Sequence, residues 1–146
     1  MSFFDAMNIA ASGLSAQRTR MDVTSENLAN ADSTVGANGQ PYQRQEVVLQ
    51  AVGGSFGANL ANAMNVPGAA PGGVEVAGIV NDPTPDQLVY DPGNPEANKQ
   101  GYVKEPNVQP VTEMVDLIDE SNSYQDDVTA MQTSKTMYSD TLNLLK

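Results

Sequence analysis

The sequence predicts an α+β protein: long N- and C-terminal helices paired as an antiparallel coiled-coil-like hairpin, with a small β-rich and loop-rich segment between them. Three observations carry this. All nine prolines fall between Pro41 and Pro110 and eleven of the twelve glycines between Gly36 and Gly101, so two ends nearly free of breakers flank a breaker-rich middle. Apolar residues near the N-terminus recur in steps of seven. Near the C-terminus they do so again, over more turns. The divisions expected are 1–35, 36–109 and 110–146.

In the first segment Met7, Leu14, Met21 and Leu28 form the heptad row, and Phe3, Ala10 and Ala31 a thinner one broken by Gln17 and Thr24. Ser2 with Asp5 three residues on resembles a capping box, which places the helix start near Phe3. Asn, Asp, Ser and Gly replace helix formers after Asn30, so the end is expected between Asn30 and Ser33.

The middle reads as short strands and turns. Residues 42–52 and 73–80 are rich in β-branched side chains and bounded by breakers, which suits an antiparallel pair, and 87–90 supplies a third short strand. Residues 53–72 are Gly-, Ala- and Asn-rich and are expected to form a flexible excursion. The pentapeptide NLANA occurs at 27–31 and again at 59–63, but the flanks share nothing, so it is no repeat.

In the last segment Leu117, Tyr124, Met131, Tyr138 and Leu145 step by seven, and Met114, Val128 and Leu142 form a second row broken by Ser121 and Lys135. Pro110 precedes the helix, acidic residues from Glu113 to Glu120 crowd its start and Lys146 ends it, a polarity that suits the helix dipole. Helices of roughly 29 and 34 residues would run about 43 and 51 Å and could lie side by side. Two helices of this size bury too little on their own, since fixing the backbone costs about 1–2 kcal/mol per residue. Neighbouring subunits are therefore expected to complete the fold.

Composition narrows the function. A net charge of −11 with only seven Lys and Arg argues against nucleic-acid binding. Neither cysteine nor histidine is present, which removes disulfides, thiolate metal sites and histidine bases. The opening residues carry Asp5 and Asn8 and have no cation before Arg18, unlike a cleaved secretory signal. The stretch from Gly53 to Gly57 fits G-x-S-x-G, but a triad needs a histidine. Asp116, Asp119, Glu120, Asp126 and Asp127 could in principle serve glycan hydrolysis or bind a hard cation. Without a D-x-D-x-D-G loop, and set between apolar heptad positions, they read as a solvated face. No catalytic, cofactor-binding or metal-binding residue is assigned. A free coiled-coil adaptor and a cell-wall glycan hydrolase remain the alternatives to a structural role.

The run ASGLSAQRTRMDVTSENLANADSTVGANGQPYQRQEVVLQ resembles the bacterial flagellar rod proteins, whose N-terminal signature is of the type S-G-L-x-A-Q-x-x-R-M-x-V-x-x-x-N-L-A-N-A. Matching positions run from Ser12, Gly13 and Leu14 through Arg20, Met21 and Asn27 to Ala31, and later include Gly101, Pro106, Asn107, Glu113, Met114 and Tyr124. Asn122 stands where family members often carry Arg. The resemblance implies an axial subunit of the flagellar basal body, spanning the periplasm, exported without a cleaved signal and catalysing nothing. Its implied partners are copies of itself and other flagellar rod proteins, with room for contacts to the motor-base adaptor and export apparatus, and no nucleic acid or small-molecule substrate. Heptad rows and carried-over positions together mark Met7, Leu14, Arg20, Met21, Asn27, Leu28 and Asn30 as assembly residues on the N-terminal side. On the C-terminal side they mark Met114, Leu117, Tyr124, Val128, Met131, Tyr138 and Leu142.

Overall fold

The computed structural model describes residues 3–36, 39–52 and 72–144. Among these described residues two helices and four strands occur in the order α1 (Phe3–Ala29), β1 (Gln45–Ala51), β2 (Val74–Asn81), β3 (Gln87–Tyr90), β4 (Tyr102–Glu105) and α2 (Pro110–Leu144). The fold is α+β, as expected. Ser2, the excursion from 53 to 71, the second NLANA and Leu145 lie outside the described residues.

Helix α1 ends one residue earlier than the sequence suggested, and side chains make the stop. Asn30 donates through Nδ2 to the Glu26 carbonyl at 2.9 Å, which its own amide also reaches at 3.1 Å, and its Oδ1 accepts from the Ser33 hydroxyl at 3.2 Å, so the last turn closes without a glycine. Helix α2 begins on Pro110 itself, the first helical position, where a missing N–H costs nothing. The Gln109 carbonyl accepts the first helical bond, from the Glu113 amide at 3.0 Å.

β1 and β2 pair antiparallel from Gln45 opposite Asn81 to Ala51 opposite Val74, with an irregularity between Val48 and Leu49. Alternation follows the pleat: Gln45, Val47 and Leu49 are half-buried while Glu46, Val48 and Gln50 are exposed. This pair lies along α1. Its near end is fastened where the Val74 amide donates to Ser12 Oγ at 3.1 Å.

QLVY does not join that sheet. It forms a separate antiparallel pair with β4, a strand absent from the sequence reading. The connecting turn is built on Asn98, whose Oδ1 accepts the Gln100 and Tyr102 amides at 2.9 and 3.0 Å. Gly101 closes the turn at φ +83°, and a Cβ there would lie 2.8 Å from Tyr90 Cε2. Tyr90 and Tyr102 meet edge to face across the pair, with centroids 5.3 Å apart.

Among the described residues the buried apolar side chains are only Ala16, Val23, Val103, Pro106 and Val108. As many polar and charged residues are buried beside them: Thr24, Asn27, Asn107, Glu113 and Glu120. The interior of this molecule is therefore defined as much by hydrogen bonds as by hydrocarbon.

Candidate functional site

The terminal helices meet in opposite directions, and a row of polar residues at heptad spacing meets between them. Asn27 Nδ2 donates to Glu113 Oε2 at 3.0 Å. One heptad toward the N-terminus, Arg20 Nε lies 3.5 Å from Glu120 Oε1. A further heptad on, Gly13 faces Asp127, whose Oδ2 would stand 2.8 Å from a Cβ at that glycine. Each step of seven down α1 is matched by a step of seven up α2. The contact row is thus Gly13, Arg20, Asn27 against Glu113, Glu120, Asp127, a polar ladder at heptad spacing.

Met7, Leu14, Met21 and Leu28 sit one residue beyond that row and are half-buried. On α2, Leu117, Tyr124, Val128 and Met131 are half-buried as well, but Met114, Tyr138 and Leu142 are exposed. The row of α2 that makes the polar contacts to α1 begins at Glu113, one residue before Met114 and so rotated from it by about 100° around the axis.

The acidic residues also divide. Asp119 and Asp126 are exposed and fit a solvated face, Asp116 and Asp127 are half-buried, and Glu120 is buried, contrary to the expectation for that residue.

Asn27 is the centre of the site, 1% exposed and fully hydrogen-bonded. Its Oδ1 accepts from the Tyr42 hydroxyl and the Gln45 amide, both at 2.9 Å. Its Nδ2 donates to the Gln45 carbonyl at 2.9 Å and to Glu113. A buried asparagine that satisfies every hydrogen-bonding direction is stabilising, whereas one lacking partners would cost the fold. One side chain joins α1, the entry to β1 and α2.

Glu113, also 1% exposed, receives a second donor from Arg44 Nε on Oε1 at 2.5 Å. Arg44 extends the network to Glu46, Asp82 and Asp116. Burial alone would lower the Arg44 pKa, but hydrogen bonds and charge from Glu113 and Glu46 outweigh it and raise the guanidinium above its ordinary value. The Tyr42 hydroxyl is likewise pushed up, first by burial and then by the charges of Glu26 and Glu113.

A second buried asparagine mirrors the first. Asn107 Oδ1 accepts the Arg44 amide at 2.7 Å while its Nδ2 donates to the Thr84 carbonyl at 3.0 Å. The adjacent amides of Arg44 and Gln45 are thus capped by asparagines from opposite ends of the chain. Sequence reasoning missed Tyr42, Arg44, Asn107 and Glu113 as one constellation; Asn107 was visible only as a carried-over position, and Glu113 as that and as the first acid of the helix start.

No triad or metal cluster accompanies this network: among the described residues no group of three carboxylates is placed to hold a metal ion. No described helix is long and apolar enough to cross a membrane.

Comparison with known proteins falls on the same two helices. Residues 7–38 match the family described as Flagella basal body rod protein, and residues 99–144 match Flagellar basal body rod FlgEFG protein C-terminal. The curated flagellar basal-body rod protein FlgC of Bacillus subtilis (strain 168) is 47% identical over 150 residues, covering all of both chains. FlgC of Escherichia coli O157:H7 is 46% identical and that of Salmonella typhimurium 43%, each covering 99% of this chain and 98% of the relative. With full-length identity at this level, and with both rod-family segments brought together by the ladder, the chain belongs to the FlgC family of flagellar basal-body rod proteins.

Proposed function

We propose that this chain is a structural axial subunit of the proximal part of the flagellar rod, polymerising with copies of itself and other rod proteins into the drive shaft. The observation that carries the reading is a face of α2 that the described residues leave exposed. While Glu113, Leu117, Glu120 and Tyr124 turn toward the rest of the chain, Val111, Met114, Val115 and Ile118 stand at 51–74% exposure on the other side. An apolar stripe on a helix whose own chain has little core is the mark of a subunit finished by its neighbours.

In this reading α1 and α2 act as one coiled-coil-like hairpin that forms the inner layer of the shaft, and the strand pairs face outward. The chain then divides at about 35 and 110 into two rod helices and the β segment between them. The subunit reaches the periplasm by flagellar export without a cleaved signal, works mechanically and catalyses nothing.

Complementation tests this directly. Expressed in a Bacillus subtilis strain lacking its own FlgC, an epitope-tagged chain is expected to restore swimming and to co-purify with detergent-extracted basal bodies. Non-motile cells in which the tagged chain is exported but never found in basal bodies would refute it.

A further inference from the structure

Each strand pair has one face turned inward and one face left open. In β3–β4 Val89 stands opposite Val103, which is 2% exposed, so that face points into the molecule. The alternate residues, Leu88 opposite Lys104 and Tyr90 opposite Tyr102, therefore share the outward face. Leu88 and Tyr90 are 63% and 65% exposed, and the Lys104 side chain 66%. A two-stranded sheet is marginal by itself, and this one turns a leucine and two tyrosines to solvent.

The other strand pair offers the complement. With Ala77 passed over at the irregularity, its outward face holds three rows: Glu46 with Val80, Val48 with Gly78, and Gln50 with Glu75. Val48 and Val80 are exposed, and a Cβ on Gly78 would meet nothing within 4 Å, so an open gap lies beside them. Glu75 is exposed and accepts a hydrogen bond from Gln50, with no ion-pair partner among the described residues. Lys104 in turn has only Asp86, at 3.9 Å and screened by solvent. Charge decides where copies can meet. A chain with eighteen acidic and seven basic residues repels its own copies unless a contact sets cations against carboxylates. Arg20 and Arg44 are engaged within the chain, while Lys99 and Lys104 both stand exposed on the β3–β4 hairpin.

We propose that the outward face of β3–β4 in one copy docks on the outward face of β1–β2 in a second copy. The tyrosine pair covers the gap at Gly78 against Val48 and Val80, and Lys104, one row on, meets Glu75. Rows on both sheets are two residues apart, about 6.7 Å, so the two contacts fall into register together. Because the two faces differ, the contact is head-to-tail and repeats from copy to copy instead of closing on a pair. The inference rests on the rod-subunit reading and adds a contact in its outer layer. A patch of this size is weak in solution and counts only where packed helices already hold the copies side by side.

Two chains with different epitope tags, Leu88→Cys and Val48→Cys, are co-expressed in the Bacillus subtilis strain lacking FlgC. The parent has no cysteine, so each chain carries a single thiol. Treating extracted basal bodies with a short bismaleimide is expected to give an adduct carrying both tags. If both chains are in the basal bodies and the adducts join like-tagged copies or another rod protein, or none forms, the proposal is overturned. Absence of the parent chain from basal bodies overturns the rod reading itself. Lys104→Glu gives a second measurement. The purified variant is expected to melt within about 3 °C of the parent, since the change is on the surface. Its incorporation into basal bodies is expected to fall about fivefold or more, and Glu75→Lys in the same chain to restore it. Unchanged incorporation, or a loss that Glu75→Lys does not restore, overturns the proposal.

Discussion

Replacing Asn27 by alanine should be the most damaging single change to the described fold. The substitution removes four hydrogen bonds, three to the Tyr42 hydroxyl and the Gln45 backbone and one to the Glu113 carboxylate. At about 1 kcal/mol for each neutral bond and about 2 for the charged one, the loss approaches 5 kcal/mol, and water entering the site returns part of it. We expect a loss of about 3–5 kcal/mol. With a urea dependence of about 2 kcal/mol per molar, the midpoint followed by far-ultraviolet circular dichroism should fall by about 2 M. Asn27→Asp separates the hydrogen-bond account from simple loss of volume. It keeps acceptors for Tyr42 and Gln45 but sets a second carboxylate against Glu113, so at pH 7 it should cost at least as much as alanine. Protonating the introduced aspartate at low pH removes that repulsion, and the gap between the Asn27→Asp variant and the parent should narrow. A loss under about 1 kcal/mol for Asn27→Ala, or a deficit of the aspartate variant indifferent to pH, would refute the reasoning.

Three further outcomes are expected. Gly101→Ala forces a left-handed residue to carry a Cβ against the Tyr90 ring, and should cost about 1–2 kcal/mol or more, read as a lowered urea midpoint and altered Tyr90 ring resonances. Burial raises Glu120 above its ordinary value near 4.5, with Thr24 and Arg20 pulling the other way. The folded state therefore holds that proton more tightly, and its contribution is full below pH 4.5 and lost as pH rises through the raised folded value; melting curves of the parent against Glu120→Gln should converge or cross in the parent's favour as pH falls, and parallel curves would contradict it. Ile118→Asp lies on the exposed stripe, so the isolated chain should change by less than about 0.5 kcal/mol while basal-body incorporation is lost, which quantitative immunoblotting of extracted rods would detect.

Much of the architecture was legible because breakers and apolar periodicity are local signals. Clustered Pro and Gly placed the two helices, β-branched runs placed β1 and β2, and a step of seven announced that the helices pack lengthwise. The ladder that pairs them was not legible by the same rule. Gly13, Arg20 and Asn27 also step by seven, as do Glu113, Glu120 and Asp127, but a periodicity search weights hydrocarbon and treats carboxylates as solvated. The burial of Asn27 and Glu113 follows from tertiary partners, Tyr42 and Arg44 above all, that local pattern cannot bring together. β4 was missed for a related reason. Its four residues include Lys104 and Glu105, and only pairing with QLVY makes them a strand. In the first NLANA segment Asn27 makes the contacts to α2 and to the entry of β1, and Leu28, whose heptad position drew attention to it, is half-buried beside it.

The ladder also decides between alignments that apolar rows leave equivalent. Two hydrocarbon stripes of constant period can slide past each other by one heptad, about 10.5 Å, and find much the same surroundings. Here the three rungs are unlike: an amide against a carboxylate, a guanidinium against a carboxylate, and a bare backbone against a carboxylate. Sliding by seven residues in one direction takes Asn27 from Glu113 and leaves that buried acid without its amide. Sliding in the other takes Arg20 from Glu120. Because Asn27 also holds the start of β1, any slip would carry the strand pair with it. A shaft made of many such units has every length error multiplied along its axis, and a heterogeneous row of polar partners gives each unit a single length.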